Sequence, residues 1–114
     1  MSRTITISKD YTRFPGGRYV EDGAGNGTTF REDFMKPEMA RQDGSVIRVV
    51  LDGAAGYPSS FLEEAFGGLV RVDGFAAKDV LNRFEFVANE PGFARYIELI
   101  KQYVRQAQNV TRQN

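Results

Sequence analysis

The run Val46-Ile47-Arg48-Val49-Val50-Leu51-Asp52 constrains this chain more than any other feature. Its β-branched, nearly continuous apolar character predicts a central strand covered on both faces or nearly so. Gly53-Ala54-Ala55-Gly56-Tyr57-Pro58 turns the chain out of that strand. Ser60 then reads as a helix N-cap, with Glu63 completing an S-x-x-E capping box. Phe61, Leu62, Ala65, Phe66, Leu69 and Val70 fall on one broad apolar helix face, and Glu63, Glu64, Gly67 and Gly68 lie off it. A buried strand passing into an amphipathic helix sets the middle of the chain in an α/β fold.

The flanks extend that pattern. Thr4-Ile5-Thr6-Ile7-Ser8 has the period of two of a half-buried strand. Phe14-Pro15-Gly16-Gly17 breaks regular structure, and Arg18-Tyr19-Val20 is expected to form a short second strand. A glycine-rich loop over residues 22–27 precedes a helix that Thr29 and Glu32 are placed to box, with Phe30, Phe34 and Met35 on its apolar face. Pro37 should kink or restart it. Residues 71–74 read as a short extended piece, residues 76–81 as a short helix and Phe84-Glu85-Phe86-Val87 as a strand. From Pro91 onward, Phe93, Tyr96, Ile97, Ile100, Tyr103, Val104 and Ala107 recur at helical spacing, and residues 109–114 form a polar tail expected to fray. The expected architecture is a single α/β domain over residues 1–114: a mixed sheet of about four strands with helices packed against it.

Composition removes several chemistries. The chain has 114 residues, with 15 basic and 15 acidic side chains, so no net field favours nucleic acid or anionic lipid. Its apolar stretches are too short to span a bilayer, and the first residues lead into no secretory core, so the expected location is cytoplasmic. Cys and His are absent. A thiolate nucleophile, a Cys/His metal site and a Ser-His-Asp triad are therefore impossible. The chain is read as a non-enzyme with no cofactor and no metal; a carboxylate- or metal-dependent enzyme on Asp52 and Glu63 ranks last.

Val49-Val50-Leu51-Asp52-Gly53 and the segment from Tyr57-Pro58-Ser59-Ser60-Phe61-Leu62 to Glu64-Ala65-Phe66-Gly67 and Leu69 resemble the S-S-F-L-x-E-A-F-G-x-L core of the STAS-like domain family of unknown function. Gly16-Gly17-Arg18 and Phe30-Arg31-Glu32 resemble that family's G-G-R and F-R-E elements. The resemblance implies a small α/β module that binds other proteins, akin to the bacterial anti-sigma-factor antagonists. In those, a Ser in a D-S-S-G motif at a helix start is phosphorylated by a partner ATPase of the histidine-kinase-like fold. Ser59-Ser60 occupy the corresponding place, with Pro58 where the motif has Asp and Phe61 where it has Gly. The resemblance thus implies a protein partner of that ATPase kind, with no direct contact to nucleic acid or membrane, and it allows a homodimer.

Two readings of Ser59-Ser60 stay open, a phosphoacceptor favoured by the helix dipole and a plain helix cap. Asp52 is a candidate contact for a partner, ligand or metal, or the stabiliser of its own turn. Tyr57 and Pro58 are further contact candidates. Arg18 and Arg31 bracket the glycine-rich loop. With it they suggest an alternative function, a small-molecule or nucleotide/phosphate-binding domain, although the loop lacks the G-x-x-x-x-G-K-[ST] spacing. The competing reading pairs them with Asp22, Glu32 or Asp33.

Overall fold

Parallel strands must be joined by crossovers, and helices supply them here. The computed structural model describes residues 3–41 and 43–112. In it β1 (Arg3–Thr6), β2 (Ile47–Val50) and β3 (Phe84–Val87) pair in the order β1-β2-β3, both pairs parallel. The expected mixed sheet of about four strands is thereby corrected to three parallel strands among the described residues. Arg18-Tyr19-Val20 makes no strand. The Asp22 carboxylate accepts the backbone N–H of Arg18 (3.1 Å) and of Tyr19 (2.9 Å), folding the segment into a 3-10 turn, Val20–Asp22.

β2 is central, yet only one of its faces is covered. Ile5, Val49 and Phe86 form one row across the sheet; Thr4, Arg48 and Glu85 form the row before it, on the opposite face. Ile5, Ile47 and Val49 are buried, whereas Thr4, Arg48 and Glu85 are exposed, with Arg48 and Glu85 3.6 Å apart. Arg48, the one charge inside the strand, marks the face the helices leave open.

Among the described residues five helices follow in chain order. α1 is a single turn, Ile7–Asp10; α2 covers residues 27–40; α3 covers residues 59–71; α4 is Ala77–Arg83; and α5 is Ala94–Arg112. Both α2 and α3 contain a widened π-helical segment, Arg31–Met35 and Glu63–Gly67. After the first, the α register resumes at Lys36, so Pro37 sits in a first turn where its missing N–H costs little. α5 begins at Ala94 rather than Pro91, beyond Gly92 at φ +82°. It is helical to Arg112, and Gln113 and Asn114 lie outside the described residues. Residues 71–74 are the end of α3 and its closing turn, where the Gly74 N–H meets the Val70 carbonyl (3.2 Å), rather than an extended piece.

Both expected caps shift. Asn26 caps α2, its side chain accepting the Thr29 N–H at 2.8 Å, and Thr29 lies within the helix. α3 starts at Ser59 with Pro58 in the N-cap position and no side-chain cap. Pro58, held at φ −61° and ψ 147°, sets the N-cap two residues ahead of Ser60.

α3 is the central helix. Its apolar face meets the sheet and the neighbouring helices, with Phe66 edge-on to Phe86 of β3 at 5.4 Å and 6.1 Å from Phe30 of α2. The side expected to face solvent is buried too, except for the half-buried Glu63: Glu64, Gly67 and Gly68 are all covered. The glycines make that approach feasible. A Cβ on Gly67 would lie 3.3 Å from the Tyr103 carbonyl oxygen of α5, and one on Gly68 2.6 Å from Arg31 Nη1.

Candidate functional site

The carboxyl end of β2 is tied before the chain reaches α3. Asp52 accepts the backbone N–H groups of Asn89 and Glu90, each at 2.8 Å, and Glu90 takes the Gly53 N–H in return at 2.6 Å. The Asp52 carboxylate thereby clasps the loop after β3, rather than the turn that follows it in the chain. Tyr57 turns inward. Its hydroxyl donates to the Leu51 carbonyl at 2.7 Å, and its ring packs among Phe61, Phe93 and Tyr96. Burial, followed by the charges of Asp52 and Glu90, pushes its phenol well above the ordinary range. Tyr57 is thus a core residue, whereas Pro58 beside it is exposed.

Pro58 and Ser59 are exposed and Ser60 is half-buried. No side chain caps the helix they open, so its first N–H groups stay oriented toward the serines without a side-chain acceptor. Ser59 and Glu63 are four residues apart and share a helix face. Glu63 in turn holds Arg18 by a close ion pair, and Arg71 by two contacts of 3.0 and 3.1 Å.

Behind Glu63 lies a network that no local pattern predicted. Arg31, buried, pairs closely with Glu64, donates to the Glu64 backbone carbonyl (3.1 Å), and sets its Nε 3.1 Å from Asp73. Arg71 reaches Glu64 at 3.0 Å, Arg18 reaches it at 3.6 Å, and the Thr28 hydroxyl donates to it at 3.0 Å. Burial alone would raise the Glu64 carboxyl. The hydrogen bonds from Arg31 and Thr28, with the Arg31 charge and the Arg71 bond, outweigh it and hold the group below its usual range. Arg71 is raised for the reciprocal reason: desolvation disfavours its charge, and Glu63 and Glu64 more than restore it. The network joins the two π-helical segments, since Arg31 opens one while Glu63 and Glu64 open the other. Widened turns of this kind recur at functional sites.

Arg18 and Arg31 therefore converge on α3 and not on the glycine-rich loop. Of the acidic partners weighed for them, Asp22 binds the Arg18 backbone N–H, and Glu32 stands 3.9 Å from Arg31. The main partners, Glu63, Glu64 and Asp73, are more than 30 residues along the chain. The loop is itself pinned: the Gly25 carbonyl takes the Gly16 N–H (3.0 Å), Gly27 donates to Gly17 (3.2 Å), and Tyr11 donates to the Asn26 carbonyl (2.7 Å). Among the described residues no group of three or more acidic side chains is placed to hold a metal ion, and no helix is long and apolar enough to cross a membrane.

The residues that sequence reasoning missed are Glu64, Arg71 and Asp73. One signal for Glu64 was present, because it is the acidic position that the S-S-F-L-x-E-A-F-G pattern specifies, whereas Glu63 falls on the x. A family profile described as a STAS-like domain of unknown function matches residues 26–92, which span α2 through β3 and hold every member of the network except Arg18. Neither the curated proteins nor the solved structures contain a significant match. With more than half of its length matched, and with the pattern's glutamate and glycine both buried in the central helix, the chain belongs to the STAS-like domain family of unknown function (DUF4325).

Proposed function

We propose that this protein is a regulatory protein–protein interaction module, switched by phosphorylation at the start of α3 by a partner ATPase of the histidine-kinase-like fold. Ser59 is the favoured acceptor. One observation carries the reading: Ser59 is exposed at a helix start with no side-chain cap, and one turn later Glu63 on the same face holds the partly exposed Arg18. A phosphate on Ser59 adds up to two negative charges where the helix dipole and free N–H groups favour them. It also becomes a competitor for Arg18, whose guanidinium forms bidentate contacts to phosphate. Modification would then draw Arg18 away from Glu63 and reshape the surface that the partner contacts, while the buried Arg31–Glu64 pair keeps α3 in place.

The test is incubation with ATP and the histidine-kinase-like ATPase of the same host, followed by peptide mapping. The expected result is one phosphate on the peptide containing Ser59, lost in Ser59→Ala, and weaker ATPase binding by the modified form. An unmodified peptide under conditions where the two proteins bind tightly would sink the switch and leave a constitutive contact surface.

A further inference from the structure

The two edges of the sheet are finished differently. On β1 the edge is blunted by charge: the Asp10 carboxylate takes the Thr6 N–H (2.7 Å), Arg3 pairs with Glu38 (2.9 Å), and Asp33 and Arg41 line the same groove. Charged side chains along a sheet edge deter a further strand. On β3 the one charged side chain, Glu85, pairs with Arg48 (3.6 Å), and among the described residues no side chain binds the backbone groups of Phe86. Leu51 donates its N–H to the Val87 carbonyl at 2.9 Å, so Val87 and Glu85 face β2. The alternation of a parallel ladder then turns the N–H and C=O of Phe86 outward, away from the sheet. Beside them runs a groove of about 370 Å³ whose apolar lining is Val46, Leu81, Phe84, Phe86 and Ile97, and whose polar lining is Asn82, Glu85 and Lys101 of α5. Val46 is 43% exposed, and Lys101, half-buried, has no ion-pair partner among the described residues.

We propose that the free edge of β3 receives an extended peptide segment of a partner protein, which adds a fourth strand and sets alternate apolar side chains into this groove, with an acidic residue against Lys101. Each element of the occupant has a counterpart in the groove. The outward N–H and C=O of Phe86 require an extended backbone, and the wall on the helix side requires apolar residues at every second position. The unpaired ammonium of Lys101 requires a carboxylate. A second copy of the chain does not fit as well. A stable dimer needs roughly 800 Å² and about 20–30 residues from each partner, and this edge is four residues long. Antiparallel pairing of Phe84 with Phe86 of a second copy would also set two Glu85 carboxylates opposite each other, which is unfavourable. The site is separate from Ser59 and stands or falls independently of the phosphorylation reading.

The experiment uses synthetic ten-residue peptides that alternate valine with threonine and carry either one aspartate or one lysine near an end. Binding is followed by amide chemical shifts of the full chain. The aspartate peptides should bind at least ten-fold more tightly than the lysine peptides and shift Phe86 most, and Lys101→Glu should reverse that order. N-methylation of one alternate set of peptide amides should abolish binding, and of the other set leave it intact. Val46→Lys, at an exposed position, should weaken every peptide while far-UV circular dichroism stays native, and Ser59→Ala should change nothing. The proposal is overturned by the absence of binding from all peptides, by equal affinity for both charges, by unchanged affinity in Val46→Lys, or by a concentration-dependent dimer that Val46→Lys dissociates.

Discussion

In the first turn of α3, Ser59 is exposed and no side chain caps the helix, whereas one turn later Glu63 and Glu64 hold three arginines between them. Both turns carry polar residues, and on a helical wheel both belong to the hydrophilic side. The difference lies in what closes over them. α2 and α5 bury the second turn, so its charges must be paired or the helix could not sit there. The first turn buries Phe61 and Leu62 but leaves Ser59 in solvent, where nothing obliges a partner. A helix can thus keep a rigid middle and a chemically open start, provided that its fixed charges and its free hydroxyl occupy successive turns.

The sharpest way to break this contrast is to unpair the second turn. Glu64→Ala leaves Arg31 buried without its main counter-ion, and a loss of about 3–5 kcal/mol in chemical denaturation at neutral pH is expected. The milder Glu64→Gln yields the pH signature. The native carboxyl is held below its ordinary value of 4.5, so the stability it contributes is fully present above that value. It is lost as pH falls through the lower native value. The gap between wild type and Glu64→Gln should therefore be widest at neutral pH and close in acid. A gap independent of pH would mean that Glu64 acts by shape alone.

Next in size is the crossing that brings the network together. A Cβ on Gly27 would stand 2.9 Å from the Phe61 carbonyl oxygen. Gly27→Ala should cost about 1–3 kcal/mol through overpacking, although alanine favours helices intrinsically. Approaching the open end, Tyr57→Phe removes the hydrogen bond to the Leu51 carbonyl. The expected cost is about 1–2 kcal/mol by thermal unfolding, since the buried acceptor loses its partner. At Ser59 itself the sign reverses. Ser59→Asp should stabilise by about 0.3–1 kcal/mol, an increment that salt diminishes. A destabilisation there would show that the first turn is already committed.

The sequence made some of these features legible and hid others for identifiable reasons. β3 was read to its exact ends because two aromatics and a valine alternate with one glutamate between clear breaks. The core face of α3 was equally plain, and its six apolar residues are all buried. The caps moved because both helices offer more than one residue able to cap, and backbone angles decide among them: Asn26 is extended before α2, and Pro58 is fixed before α3. The ion-pair network was invisible because Arg31 meets Glu64 across 33 residues, a distance over which periodicity carries no information. The open face of the sheet was hinted at by Arg48 alone, against four β-branched neighbours that argued for full burial.

The strand register also bears on how the chain acquires its fold. Arg3 pairs with Ile47 and Ile47 with Phe84, so neither ladder can begin until a loop of some forty residues has closed. Such topologies pay their entropy before contacts repay it, and they fold more slowly than helical bundles of equal stability. On a ribosome, β1 must wait unpaired while α2 forms. The single-turn α1 and the Asp10 carboxylate on the Thr6 N–H then serve as local protection for a strand whose partner has yet to be made.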